Sequence, residues 1–178
     1  KAEDYHFGID LGYGFYDLKA AETAQLIANL SGNTVTYTYD EATPAFRVYF
    51  EAKIADNFLA ELGYFQSSDM TATYTINSVS ASESYYINGI DASLVFKPDE
   101  TEGIFFKGGI NSSEVNGEAT VTISGTSYDI ASASASGVGY LAGVGYDSGN
   151  YRYGYTFYTS MGGLSDANVG LLYIGYRF

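Results

Sequence analysis

Gly170-Leu171-Leu172-Tyr173-Ile174-Gly175-Tyr176-Arg177-Phe178 closes the chain. As an extended strand, it sets Leu172, Ile174, Tyr176 and Phe178 on one face and Leu171, Tyr173, Gly175 and Arg177 on the other, because successive side chains alternate. One face is wholly apolar and ends on an aromatic residue. In a soluble protein that face would meet a core. The same pattern recurs along the 178 residues, with too little else to cover it, so these faces are expected to meet lipid.

Working back from the end, Tyr151, Tyr153, Tyr155 and Phe157 alternate with Arg152, Gly154, Thr156 and Tyr158. Before them, Val138, Tyr140, Ala142, Val144 and Tyr146 alternate with glycines and Leu141. A shorter segment carries Ile104, Phe106, Gly108 and Ile110 on its apolar face. Tyr86 to Phe96, Phe58 to Phe65, Ala45 to Ile54 and Tyr5 to Tyr16 repeat the period of two. The count is eight strands. Short turns are expected at Ala55-Asp56-Asn57, Lys97-Pro98-Asp99-Glu100 and Asp147-Ser148-Gly149-Asn150, with a short loop around Met161-Gly162-Gly163. Longer connections cover about Asp17 to Thr43, Ser67 to Ser84 and Ser112 to Ser136. Ala20 to Leu30 predicts a short helix ending before Gly32. Strand-like alternation also appears at Thr34–Tyr39, Met70–Ile76 and Ala119–Ser124, which predicts a wall rising beyond the membrane.

Composition agrees with this pattern. There is no cysteine and no tryptophan, but there are 19 tyrosines, 11 phenylalanines, 21 glycines and only two prolines. Disulfides and thiolate metal sites are excluded. No apolar run approaches the roughly 18 residues of a transmembrane helix. The opening Lys1-Ala2-Glu3-Asp4 has no apolar signal core, so a mature chain is expected. Mean hydropathy is −0.06, which strands that alternate apolar and polar residues satisfy. A net charge of −13 argues against a nucleic-acid partner.

Sequential strands joined alternately by long and short connections predict an all-β, eight-stranded antiparallel up-and-down barrel over residues 1–178. Hydrocarbon forces closure, since an open edge would leave backbone groups unpaired. Tyrosine supplies interfacial girdles without tryptophan. With this strand rhythm and the Tyr-Arg-Phe ending, the whole chain resembles the eight-stranded outer-membrane barrels of the OmpA, OmpX and opacity-protein type. The resemblance implies a monomer in the outer membrane of a Gram-negative bacterium, in contact with lipid and lipopolysaccharide. It also implies that Leu172, Ile174, Tyr176 and Phe178 form the signal read by the barrel insertion machinery.

By this phase five bases point inward, Arg47, Lys53, Lys107, Arg152 and Arg177, with four acids, Asp10, Glu51, Glu61 and Asp91. An eight-stranded barrel is just wide enough for side chains to fill, so a salt-bridged, glycine-lined plug is expected. A gate that switches partners is the functional alternative. Glu51 and Glu61 should lie opposite each other, with Lys53, Arg47 or Lys107 between them or one acid protonated. Asp91 should pair with Lys107. The outer loops hold Asp17, Glu22, Asp40, Glu41, Asp69, Glu83, Glu114, Glu118, Asp129 and Asp166 against Lys19. No loop has the spacing of a defined calcium site.

Three function classes follow. The first is a structural or surface-interaction protein whose loops meet host, phage or envelope partners, with exposed strand edges open to β-augmentation. The second is a narrow, porin-like channel, suggested by the inward glycines. The third, a lipid-modifying enzyme, needs a histidine beside a serine or carboxylate at the outer rim. The one histidine, His6, falls at the other mouth. No enzyme activity, cofactor or metal is expected.

Overall fold

The computed structural model describes residues 5–17, 19–99 and 102–178. The opening Lys1-Ala2-Glu3-Asp4 and Glu100, the last residue of the expected Lys97–Glu100 turn, lie outside the described residues. The elements in chain order are β1 (Tyr5–Tyr16), α1 (Ala20–Ser31), β2 (Thr36–Tyr39), β3 (Ala42–Ala55), β4 (Phe58–Ser67), β5 (Met70–Ile76), β6 (Val79–Phe96), β7 (Gly103–Ile123), β8 (Thr126–Ser148), β9 (Tyr151–Tyr158) and β10 (Val169–Arg177). A single 3₁₀ turn, Met161–Gly163, stands between the last two strands.

Eight strands close a ring in the order β6, β4, β3, β1, β10, β9, β8, β7, with β7 returning to β6. Every pairing is antiparallel. β1 and β10 make the seam between the chain's two ends, from Gly8 opposite Arg177 to Tyr16 opposite Val169. The Phe178 N–H donates to the Phe7 carbonyl at 2.8 Å, which ties down the last residue. At Asn57 the backbone is left-handed (φ 65°), and its side-chain amide donates to the carbonyls of Lys97 and Pro98 at 2.7 and 3.0 Å. Asparagine tolerates that conformation and bridges the two adjacent turns.

The apolar faces point outward. Leu172 and Ile174 are 55% and 58% exposed, whereas Tyr173 between them is 3% exposed. Phe7, Leu11, Leu62, Ile90, Leu94, Ile110 and Val144 continue an outer belt of exposed apolar side chains around the ring. Buried residues face the lumen. This inside-out arrangement is the reverse of a water-soluble barrel, and it is the arrangement that hydrocarbon requires.

The wall is taller than the alternation predicts. β7 runs 21 residues and β8 runs 23, so most of the expected connection from Ser112 to Ser136 is continuous ladder turning at Ser124 and Gly125. β6 likewise begins at Val79, inside the expected loop from Ser67 to Ser84. Above the ring, β5 pairs with the upper half of β6, and β2 pairs with β5. Within the alternating Thr34–Tyr39 stretch, Thr36–Tyr39 forms a strand of its own, β2, separate from β3. The helix expected at Ala20 to Leu30 is α1, capped by Gly32 in the left-handed region (φ 68°). Its Ala20 and Ala24 pack on Ala72 and Tyr74 of β5.

Candidate functional site

Two regions carry the unusual chemistry: the lumen, and the five-stranded wall of β2, β5, β6, β7 and β8 above it. Inward positions on consecutive strands bring the lumen charges together. Arg47 of β3 donates to both oxygens of Asp91 on β6, at 2.8 and 2.6 Å. Its other terminal nitrogen reaches Glu61 at 2.9 Å and Asp10 at 3.3 Å. Arg152 of β9 donates to Glu51 at 2.6 Å, to Glu61 at 3.2 Å and to Asp147 at 3.1 Å. Arg177 reaches Glu51 and Asp147, each at 3.2 Å. Lys97 Nζ stands 2.6 Å from Asp147. The Tyr49 ring lies between the two central guanidiniums, 5.0 Å from Arg47 and 4.9 Å from Arg152. Planar, multidentate guanidinium groups suit this work, because each can satisfy several carboxylates at once.

The ladder sets Glu51 directly opposite Glu61. Arg152, not a lysine, lies between them and binds both, while Arg47 adds a second contact to Glu61. The expected pairing of Asp91 with Lys107 is not made. Asp91 lies opposite Asn111 in the ladder, four residues beyond Lys107, and is taken by Arg47 and the Tyr158 hydroxyl. In the ladder Phe96 lies opposite Phe106, four residues past the partner that a turn centred on Asp99 would give it, and that offset separates Asp91 from Lys107. Lys107 is buried, with its Nζ 5.4 Å from the centroid of the Tyr173 ring. Lys53 lies outside the cluster. It stands at the mouth, opposite Leu59 in the ladder, where it is exposed and 3.4 Å from Asp56; the register shifts only beyond it.

Two lumen residues were missed by treating their positions as turns, Lys97 and Asp147. Each continues the inward phase of its strand, Lys97 after Val95 and Asp147 after Gly145. With them the lumen holds five bases, Arg47, Lys97, Lys107, Arg152 and Arg177, and five acids, Asp10, Glu51, Glu61, Asp91 and Asp147. Nearer the outer mouth the lumen turns apolar. Phe65, Met70, Ile87, Leu141, Tyr158, Met161, Val169 and Leu171 pack together. Met161 is pressed in by the 3₁₀ turn, whose Gly162 N–H donates to Ser113 at 2.9 Å. A cavity in this layer holds about 20 Å³, room for about one water molecule.

The wall has two unlike faces. Its outer face carries rungs of hydroxyls set by register: Thr36, Thr75, Ser80, Thr122 and Ser127 in one row, and Thr38, Thr73, Ser82 and Thr120 with Asp129 in the next. Neighbours bond across the strands, Thr73 with Ser82 and Thr75 with Ser80 at 3.0 Å. The other face carries Tyr37, Tyr74, Ala81, Val121 and Tyr128 in one row. Near its base, burial and then the Glu83 carboxylate, which accepts the Tyr85 hydroxyl at 3.1 Å, push the Tyr85 phenol up to about 12. His6 lies at the opposite end of the barrel, beside Glu51 in the ladder. Among the described residues, no group of three or more histidine, aspartate or glutamate side chains is placed to hold a metal ion.

No protein-family model matches the chain, and no curated protein matches its sequence. Solved structures do match its fold. Ail, the attachment invasion locus protein of Yersinia pestis, in complex with the heparin analogue sucrose octasulfate, is 16% identical with a TM-score of 0.57, covering 98% of this chain and 99% of that one. A second structure of Ail gives 17% and 0.56 over the same shares. The outer membrane protein OprG from Pseudomonas aeruginosa is 11% identical with a TM-score of 0.50, over 97% and 95%. The fold is therefore that of the eight-stranded outer-membrane β-barrels.

Proposed function

We propose that this protein is a surface-attachment barrel of a Gram-negative outer membrane, and that its wall and outer loops bind partners outside the cell. One observation carries the reading: the lumen is packed with buried side chains while the wall is built out. Ten mutually compensating charges and an apolar cap fill the interior, yet β7 and β8 run about twice the 9–11 residues that a tilted strand needs to cross hydrocarbon. An enzyme acting on outer-leaflet lipid would need its base at the outer rim, and His6 stands at the other end.

The fold likeness to Ail supports an attachment role, but the ligand class should differ. The Ail complex is with a sulfated, anionic compound. Here the outer region carries ten acids, Asp17, Glu22, Asp40, Glu41, Asp69, Glu83, Glu114, Glu118, Asp129 and Asp166, against Lys19. Such a surface repels polyanions and attracts cationic partners.

The test is to replace residues 114–134 with a two-residue hairpin turn. Bacteria displaying the trimmed barrel should lose attachment to host-cell or matrix-coated surfaces, while the purified protein still shifts on an unheated gel as a folded barrel does. If the trimmed barrel attaches as well as the full chain, the wall is not the binding region. If both forms conduct ions across a planar bilayer, the channel reading replaces this one.

A further inference from the structure

We propose that the free upper edge of β8, Thr126 to Ser134, is a docking site for an extended, basic peptide segment that joins the wall as a sixth strand. This rests on the reading of the wall as the binding region and names the partner's chemistry.

The edge is open by construction. β9 leaves β8 at Tyr158, opposite Leu141. The last contacts are at Tyr140, whose N–H donates to Thr159 Oγ1 at 3.0 Å and whose carbonyl accepts the Thr159 N–H at 2.8 Å. Tyr140 thus turns both backbone groups away from β7. Antiparallel alternation makes Val138, Ser136, Ser134 and Ser132 do the same. The 3₁₀ turn lies beside Ala135, Ser136 and Gly137 and covers the foot of this edge. Above it, every residue from Thr126 to Ser134 is exposed. Among the described residues no strand pairs with this side. Natural edges are commonly defended with lysine, proline or bulges. This one has neither lysine nor proline; its register shift falls within it, between Ala131 and Asp129, and leaves Ala131 to Ser134 in regular ladder below.

Charge selects the occupant. In register, Glu118 lies beside Ser132 on the hydroxyl-bearing face, Asp129 stands on that face within the edge itself, and Glu114 lies beside Ser136 at the covered foot. Neither glutamate makes an ion pair among the described residues. A strand added at the usual spacing of about 4.8 Å would place alternate side chains on that same face. Lysine or arginine there need only cross a serine to reach these carboxylates. On the opposite face the added strand would meet Ala131 and Ala133, which leave room for any side chain. A second copy of this chain is disfavoured, because ten outer acids would face ten more. Backbone pairing would provide affinity and the alternating cations selectivity.

The test uses the full-length protein in lipid nanodiscs and a fluorescent peptide of about ten residues alternating lysine with threonine, long enough to span the edge. Fluorescence anisotropy should show saturable binding. The same peptide interrupted by prolines should bind at least about tenfold more weakly, and an alternating glutamate–threonine peptide should not bind. Ser134→Pro removes an N–H that points away from β7, so the inner ladder keeps its bonds, and it should weaken binding about tenfold or more. Ser132→Lys, which leaves the backbone intact, should do likewise. Glu114→Gln with Glu118→Gln should weaken binding and reduce its salt dependence. If the proline-interrupted peptide binds within about twofold of the native one, or if both edge variants bind normally, the contact is general ion exchange and the edge site is overturned. Sedimentation showing a dimer that Ser134→Pro dissolves, with no peptide binding, assigns the edge to self-association and also overturns it. Attachment lost on trimming the wall but kept in both edge variants overturns the edge and leaves the wall reading standing. Attachment kept on trimming overturns both.

Discussion

Inside the barrel, ten charged side chains share a space with little solvent. Above it, ten acids, eight of them exposed to water and Glu83 and Glu114 half-buried, stand beside one lysine. The two regions treat charge in opposite ways. In the lumen nine of the ten charges bond to one another and Lys107 lies against the Tyr173 ring, because an unpaired ion away from water is costly. On the wall the carboxylates are solvated, cost little to keep, and remain available to a partner. Substitutions should therefore divide: those in the lumen change stability, and those on the wall change binding.

The largest effect should come from Arg152, which touches Glu51, Glu61 and Asp147 at once. Arg152→Met should cost about 3–5 kcal/mol, read as a lower urea midpoint for unfolding from micelles, since one buried acid is left in excess. Adding Glu51→Gln should recover part of that loss, because the two sites are directly coupled. Glu118→Gln on the wall should stay within about 0.5 kcal/mol of the native protein. If the Arg152 and Glu118 variants lose stability equally, the division of the molecule into a structural lumen and a binding wall is wrong.

A smaller effect is expected at the apolar cap. Met161 is 1% exposed and packs among Phe65, Leu141 and Tyr158. Met161→Ala should cost about 2 kcal/mol in the same unfolding assay. Conductance should not rise in a planar bilayer, since the ion network below still fills the lumen. A conducting Met161→Ala barrel would show that the cap alone seals the interior, and would reopen the channel reading.

The ring was legible because hydrocarbon enforces contrast: Phe7, Leu62, Ile90 and Leu172 alternate with glycine, charge or tyrosine on every ring strand. The wall was legible only in fragments. From Ala131 to Ser136 alanine alternates with serine, and water reaches both faces, so no hydropathy contrast marks the strand. What holds that segment extended is its partner, β7, which a reading of local pattern does not include. The plug at Met161 left no signal either, since a methionine between a serine and two glycines looks like any loop. In the lumen, alternation brought the right strands together, but cross-ladder partners depend on turn width. A ladder offset of four residues was enough to part Asp91 from Lys107, and Arg47 takes it instead.

Two lysines at the turn end of the barrel give the finest version of the comparison, because the alternation assigns them the wrong way round. Lys53 falls in the inward phase of β3, opposite Leu59, yet it stands at the mouth of the barrel, where water reaches it. Its side chain is 37% exposed, and its partner Asp56 is 88% exposed. Lys97 looks like the first residue of a turn, yet its side chain is only 6% exposed and meets Asp147 at 2.6 Å. Screened, mobile pairs contribute little, so Lys53→Ala should change stability by no more than about 0.5 kcal/mol and should be insensitive to salt within that range. Lys97→Ala removes a charge-assisted bond from Asp147, which still keeps Arg152 and Arg177. The expected cost is about 1–2 kcal/mol, well short of the Arg152 loss because two cations remain. Paired unfolding curves in one detergent decide between them. Equal losses would mean that the boundary between lumen and solvent lies beyond Lys53, and a larger loss for Lys53 would restore it to the interior network.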